Sequence, residues 1–334
     1  MSRAALVAAT AVVVALVPGV TAGVALQKAD REVYLMGTRA RLETYAATRQ
    51  QGIAVLDRAL AILEQAEDEL STWREQSAIS ALNRKPVGRP WQATHELCAA
   101  FVTLFRLTQA TGGTFDPAIG ALTDAWGIHD GGRVPSPRVL RDARRASGMR
   151  LLDFDQQACA LTRRGDVRID VGAWGKGEAI DRVRRAMPQV PWLIDFGGQI
   201  AVSGLPPGQQ AWPASVAHPH IRQEGLFGVW LRQGSMSTSA GAERDLLVQG
   251  RRVAHHLDPR TGEPASFNGS VSVWHASAVV ADALLTALYV MGPEEGLAWA
   301  ERHTVAACYL VPAGVQVVTR MTAEFRALLS PPAD

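Results

Sequence analysis

Helix-period and strand-period segments alternate irregularly along this chain, and that irregularity constrains its fold more than any other feature. A doubly wound sheet would alternate strand and helix regularly, so the pattern predicts an α+β architecture instead. Ile53, Leu56, Leu60 and Leu63 recur at helical spacing and predict an amphipathic helix over 52–70. Leu97, Phe101, Leu104 and Phe105 mark a second, ending before Gly112-Gly113. An apolar helix is predicted over 280–291, and a basic one over 138–147 after a Gly/Pro loop at 130–137. Residues 33–47 read as a strand pair or a bent strand. Strands are predicted over 167–171 and 192–196, each running into a glycine cluster, then over 271–274, with a last pair at 305–311 and 315–319. Residues 204–213 are a Gly/Pro-rich turn region.

Composition narrows the function. Of 334 residues, 47 % are hydrophobic and 20 % charged, which excludes a chain disordered throughout. Thirty-four basic residues face 32 acidic ones, so a net charge of +2 gives no support to a nucleic-acid partner. A single long apolar run excludes a polytopic membrane protein. That run, uncharged from Ala4 to Leu26 after Arg3, has the grammar of an export signal. It is also long enough to remain as a membrane anchor, so residues 1–26 are expected to be signal or anchor. Cys98, Cys159 and Cys308 form no CxxC, which argues against a thiolate zinc site. Their odd number argues against a disulfide framework, and each is expected as a small buried hydrophobe. No GxGxxG or GxxxxGK[ST] is present.

Six segments could carry chemistry. Thr111-Gly-Gly-Thr-Phe-Asp-Pro-Ala-Ile-Gly120 brings glycines to a Phe-Asp-Pro turn, which fits close approach to a flat or phosphorylated ligand, or a simple helix cap. Ile169-Asp-Val-Gly-Ala-Trp-Gly-Lys-Gly-Glu-Ala-Ile-Asp181 reads as strand, glycine turn and helix start. Its amides and Lys176 suit a phosphate, and a lysine at a helix start needs an anion beside it on dipole grounds. Leu193-Ile-Asp-Phe-Gly-Gly-Gln-Ile-Ala201 holds a bulge or a close ligand approach. Ser235-Met-Ser-Thr-Ser-Ala-Gly241 reads as a hydroxyl-rich loop. In His255-His-Leu-Asp-Pro-Arg-Thr-Gly-Glu-Pro264, His255 could act as a general base. Read as a strand, that segment would send the neighbouring His256 to the opposite face. Asp282 and Thr286 are four apart on an apolar helix, and their oxygens suit a hard cation such as Mg²⁺. An Asp282 cap with Thr286 bonded back to the Asp282 carbonyl is the plainer reading.

In this order the six segments, with Tyr34-Leu-Met-Gly-Thr38, Leu70-Ser-Thr-Trp-Arg74, Ser77-Ala-Ile-Ser80 and Leu82-Asn83, resemble the FAD:protein FMN transferases, the ApbE family. The resemblance covers nearly all of residues 27–334 and implies a single α+β domain with a mixed or antiparallel sheet. It implies Mg²⁺-dependent transfer of FMN from FAD to a threonine hydroxyl of an acceptor flavoprotein, with release of AMP. By motif match, Met36, Trp73, Thr114, Phe115, Asp116, Asp170, Lys176 and Leu257 would contact FAD. Asp282, Thr286 and the Ala173 carbonyl would hold the metal, and His255 would deprotonate the acceptor. Acceptors in the family are exported flavoproteins of electron-transfer chains, which implies a periplasmic protein or one attached to the inner membrane through its N-terminal segment. Two other activities would use the same site: splitting of FAD into FMN and AMP by water, and non-catalytic flavin delivery. Trp174 stands where the family has a small aliphatic residue, and Ala240-Gly-Ala-Glu243 departs from its usual pattern on the acceptor side.

Overall fold

The strands β1 (Gln27–Leu35) and β2 (Thr38–Ala46) form a hairpin, and both residues of its turn, Met36 and Gly37, have positive φ (46° and 73°). That twist suits a two-residue hairpin turn. The computed structural model describes residues 25–188, 190–219, 221, 224–240, 245–248, 250–314 and 316–330. The expected signal or anchor segment, apart from its last two residues, lies outside these, as do residues 241–243 of the Ala240-Gly-Ala-Glu243 segment.

After the hairpin comes α1 (Arg49–Leu70), begun by a capping box in which Thr48 and Gln51 satisfy each other's backbone amides. Next are α2 (Ala78–Arg84), β3 (Pro90–Gln92), α3 (His95–Ala110), α4 (Gly120–Trp126) and α5 (Pro137–Arg145). β4 (Leu152–Asp155) and β5 (Ala160–Arg163) pair antiparallel, and β3 completes a small sheet on β5. α6 (Gly175–Ala186), β6 (Trp192–Phe196), β7 (Gln199–Ser203), β8 (Trp212–Ala217), β9 (Gly225–Leu231) and β10 (Gly234–Ala240) follow. The chain ends with β11 (Leu246–Val248), β12 (Arg251–Val253), β13 (Ser270–His275), α7 (Ala278–Arg302), β14 (Ala306–Ala313), β15 (Gln316–Met321) and α8 (Ala323–Arg326).

Eight strands make the main sheet in the order β1-β2-β6-β7-β10-β13-β14-β15, and every neighbouring pair is antiparallel. This is the α+β class with an antiparallel sheet. The main core lies between the sheet and the helices α1, α6 and α7, where Leu42, Leu63, Phe196, Val273 and Leu288 are fully buried. A second cluster on the opposite face joins Trp212 and Leu231 of the β8–β9 pair to Phe325. α7 bends at Gly292, which has φ 75° and precedes Pro293.

Three expectations are corrected. Residues 167–171 join no strand ladder. Their polar backbone is satisfied from elsewhere: the Asn83 amide accepts from the Ile169 N–H at 2.7 Å and donates to its carbonyl at 2.9 Å, and the Arg163 Nε donates to the Val167 carbonyl. Residues 235–240 are not a loop but lie in the central strand β10, where the expected turn-forming hydroxyls find partners across the sheet, such as Thr238 with Ser272 at 2.9 Å. Cys98 and Cys159 form a disulfide, with Cα atoms 5.4 Å apart across 61 positions of sequence. It ties α3 to the turn between β4 and β5, an adjacency that cysteine spacing cannot show. Cys308 is the buried free thiol expected, and burial pushes it up to about 12.

Replacing Cys98 and Cys159 together by alanine removes a cross-link that closes a long loop. The expected loss is about 2–4 kcal/mol of unfolding free energy, read from urea denaturation with and without reductant. Reductant should shift the parent protein and leave the double variant where it is.

Candidate active site

The junction of α6 and α7 builds the site. The Asp181 carboxylate on α6 accepts hydrogen bonds from the Ser277 hydroxyl at 2.6 Å and from the amides of Ala278 at 2.9 Å and Val279 at 3.1 Å. It thus places a negative charge at the positive end of α7. Gly177 permits the crossing: a Cβ there would lie 2.5 Å from the Ala278 carbonyl oxygen. With the two helices locked, Lys176 at the start of α6 reaches Asp282, one turn into α7, at 3.4 Å. The anion that a lysine at this helix start requires is therefore supplied by the protein itself.

Asp282 is 3 % exposed. One of its oxygens accepts from the Ser237 hydroxyl at 3.3 Å and the other faces Lys176, both at the long end of hydrogen-bond range. Thr286 donates to the Asp282 carbonyl at 3.3 Å, the back-bond of the plainer reading. Ala173, Lys176, Asp282 and Thr286 nevertheless line one cavity of about 410 Å³, together with Asp170, His255 and Leu257. Among the described residues no three His, Cys, Asp or Glu side chains cluster as a metal group. The available donors are one carboxylate, one hydroxyl and main-chain oxygen. Such a set suits a hard cation that keeps waters and substrate phosphates in its shell, and does not suit a closed protein cage.

A second cavity of about 510 Å³ adjoins the first and shares His129, Asp170, Gly172 and Lys176 with it. Met36 and Trp73 line this part. The Met36 amide donates to Glu67 at 2.8 Å, which fixes the hairpin turn against α1. Trp73 is 72 % exposed at the rim, with its ring edge-on to His129 at 5.4 Å. Asp170 accepts from the Gly172 amide at 2.8 Å and bonds the His129 Nε2 at 3.3 Å. That hydrogen bond, with the charges of Asp170, Asp124 and Asp130, holds the His129 imidazole above its ordinary value against a smaller opposing effect of burial. Trp174 caps the turn from beneath: its indole donates to the Asp170 carbonyl at 2.8 Å and packs near Phe101 in the core.

The structure does not bring Thr114, Phe115 and Asp116 into these cavities. Thr114 is fully buried and donates to the Thr111 carbonyl, and Phe115 is 1 % exposed in the main core. Asp116 accepts from the amides of Ala118 and Met149, is pushed up by burial, and borders a separate cavity lined by Arg144 and Arg150.

The two adjacent histidines do not point to opposite faces. Residues 254–256 run outside any strand, the two histidine rings lie with centroids 3.9 Å apart and planes tilted by 40°, and both line the first cavity. His255 and His256 therefore share one cavity. His129, His256, Ser237 and Ser239 are cavity residues that motif reading missed. A signal for Ser237 and Ser239 existed in their alternate spacing, whereas His129 carried none.

Two outcomes test this geometry. Gly177→Ala should separate α6 from α7 and cost about 1–3 kcal/mol in stability, read by thermal and urea denaturation. In NMR titration, His129 should keep its proton to a pH above 6.5, its ordinary midpoint. The stabilisation from its protonated pair with Asp170 is then present below 6.5 and lost as pH rises through the elevated midpoint. Asp170→Asn should bring that midpoint down.

Known proteins resemble this chain in sequence and in fold. The model of the ApbE family matches residues 36–310. A protein of Treponema pallidum named FAD:protein FMN transferase is 30 % identical over 291 residues, covering 80 % of each chain. One of the same name from Klebsiella pneumoniae is 25 % identical over 305 residues, 88 % of this chain and 87 % of its own. The apo crystal structure of the Pseudomonas stutzeri flavinyl transferase ApbE superposes with a TM-score of 0.82 at 27 % identity, covering 92 % of this chain and 98 % of that one.

Proposed function

Because the chain belongs to the ApbE family, we propose that it transfers FMN from FAD to a threonine hydroxyl of an acceptor flavoprotein and releases AMP. The observation that carries this reading is the buried Asp282–Lys176 pair facing His255 across one cavity, beside an aromatic-rimmed annex. An enzyme that opens a pyrophosphate in FAD needs apolar surface for a ring, positive charge for the phosphates and a base for the incoming hydroxyl. Met36 and Trp73 offer the first, Lys176 the second and His255 the third.

The threonine oxygen attacks the phosphorus on the FMN side, and the phosphorus–oxygen bond to AMP breaks. The hydroxyl proton passes to a ring nitrogen of His255, and AMP leaves as the phosphate anion. Asp282, Thr286 and the Ala173 carbonyl would hold Mg²⁺, which when bound neutralises charge on the pyrophosphate. Lys176 adds a fixed positive charge at the same place. Asp170 holds the glycine turn in shape through its bond to Gly172.

We also place the protein outside the cytoplasm, either free in the periplasm or attached to the membrane by residues 1–26, with acceptors among electron-transfer flavoproteins. The Cys98–Cys159 disulfide supports that location, because such bonds persist in oxidising compartments. No helix among the described residues is long and apolar enough to cross a membrane.

Incubation with FAD, Mg²⁺ and the flavin-accepting domain of a respiratory flavoprotein, read by intact mass, tests the proposal. The acceptor should gain one FMN, and Asp282→Ala or excess chelator should abolish the gain with the fold intact. Unchanged transfer in Asp282→Ala would remove the metal assignment. His255→Ala should slow transfer by about 10²–10⁴-fold and leave FAD affinity unchanged, measured by quenching of flavin fluorescence.

A further inference from the structure

We propose that Asp245 is the positioning residue of His255, fixing which ring nitrogen faces the cavity. Asp245 follows β10 at the head of β11, and its side chain is 5 % exposed. Its Oδ1 accepts twice from His255, from the backbone N–H at 3.1 Å and from ring Nδ1 at 3.0 Å. Its Oδ2 faces the Arg252 guanidinium as an ion pair.

Both oxygens are thus engaged, and the carboxylate has no way to turn without breaking one contact. With Nδ1 bonded to an acceptor-only group, the neutral ring carries its hydrogen on Nδ1. Nε2 is then the bare nitrogen, available to take a proton. The ring plane is fixed as well: the His256 ring lies against its face at 3.9 Å, and Tyr289 backs His256 at 4.4 Å. Tyr289 is itself held protonated, its hydroxyl pushed up to about 12 by burial and by the charge of Asp245. The His256 Nε2 is occupied by the Ser239 hydroxyl at 2.8 Å. Only His255 of the pair is therefore arranged to present Nε2 to an incoming hydroxyl.

The catalytic consequence rests on the proposed transfer reaction, but the tautomer does not. When the acceptor hydroxyl gives its proton to Nε2, the ring becomes a cation with Nδ1–H still donating to Asp245, and Asp245 stays ionised throughout. An ionised partner in a water-poor setting stabilises that cation and keeps the ring from rotating. Asp245→Asn removes the arrangement with little change of volume. An amide group must set its NH₂ either against Arg252 or against His255, so one of the two contacts becomes a clash of donors.

Nitrogen-15 NMR of the full chain at mildly alkaline pH, with His255→Gln used for assignment, tests the first half without any acceptor. The expected spectrum shows His255 protonated on Nδ1 and bare on Nε2. An Nε2-protonated ring, or the mixture seen for free imidazole, would overturn the proposal. Kinetics test the second half with FAD, Mg²⁺ and the same flavin-accepting domain. Asp245→Asn should lower kcat by about 10²-fold or more, with KM and affinity for FAD within about twofold of the parent. Unchanged kcat, or a loss of FAD affinity that parallels it, would assign Asp245 a structural role instead. If the parent protein shows no transfer at all, the proposed function fails while the NMR result still decides the tautomer.

Discussion

The carboxylate of Asp181 at the N-terminus of α7 is the contact on which the site depends. It is 6 % exposed, accepts from the Ser277, Ala278 and Val279 donors, and is paired with the Arg184 guanidinium at 2.7 Å, so these contacts form with little competition from water. The absence of a side chain at Gly177 lets the helices meet closely enough for that contact to form. Lys176 and Asp282 then face each other because each stands within one or two turns of the junction. A cation–carboxylate pair buried in this way is a poor source of stability, since both charges lose their hydration. Its position in a cavity is better explained by what it can bind.

The cleft divides into two chemistries. Around Asp282 the groups are oxygens and one ammonium, suited to phosphate and a hard cation. Around His255 they are imidazoles, a buried carboxylate and a phenol, suited to moving a proton. The β10 hydroxyls join the two halves, because Ser237 reaches Asp282 and Ser239 reaches His256. A strand displays alternate residues on one face, so a single run of serines serves both halves.

Much of this was legible in the sequence, and for physical reasons. The helical spacing from Ile53 to Leu63 marked α1, and the four-residue step from Asp282 to Thr286 correctly put both on one helix. Local periodicity reports local structure well. It failed where distant partners decide the outcome. Residues 167–171 look like a strand, yet the Asn83 side chain takes the place of a neighbouring strand. Ser235 to Ala240 look like a turn until sheet neighbours and Asp282 satisfy the hydroxyls. The Cys98–Cys159 pairing and the Asp245–His255 pairing both arise from tertiary proximity, which no spacing rule contains. Of the residues the ordered motifs single out, Asp170, Ala173, Lys176, His255, Leu257, Asp282 and Thr286 line the first cavity, and Met36 and Trp73 line its annex. The motifs did not foresee that Thr114 and Phe115 would be used to fill space.

The central claim is that this cleft hands the FMN phosphate to a protein hydroxyl in preference to water. The most direct measurement is the ratio of AMP released to FMN covalently attached, taken from one reaction containing FAD, Mg²⁺ and the accepting domain, by chromatography and mass spectrometry. Transfer predicts one AMP for each FMN attached, with little AMP formed when the acceptor threonine is replaced by alanine. AMP formed at the same rate without any attached FMN would contradict the account and identify the cleft as that of an FAD hydrolase.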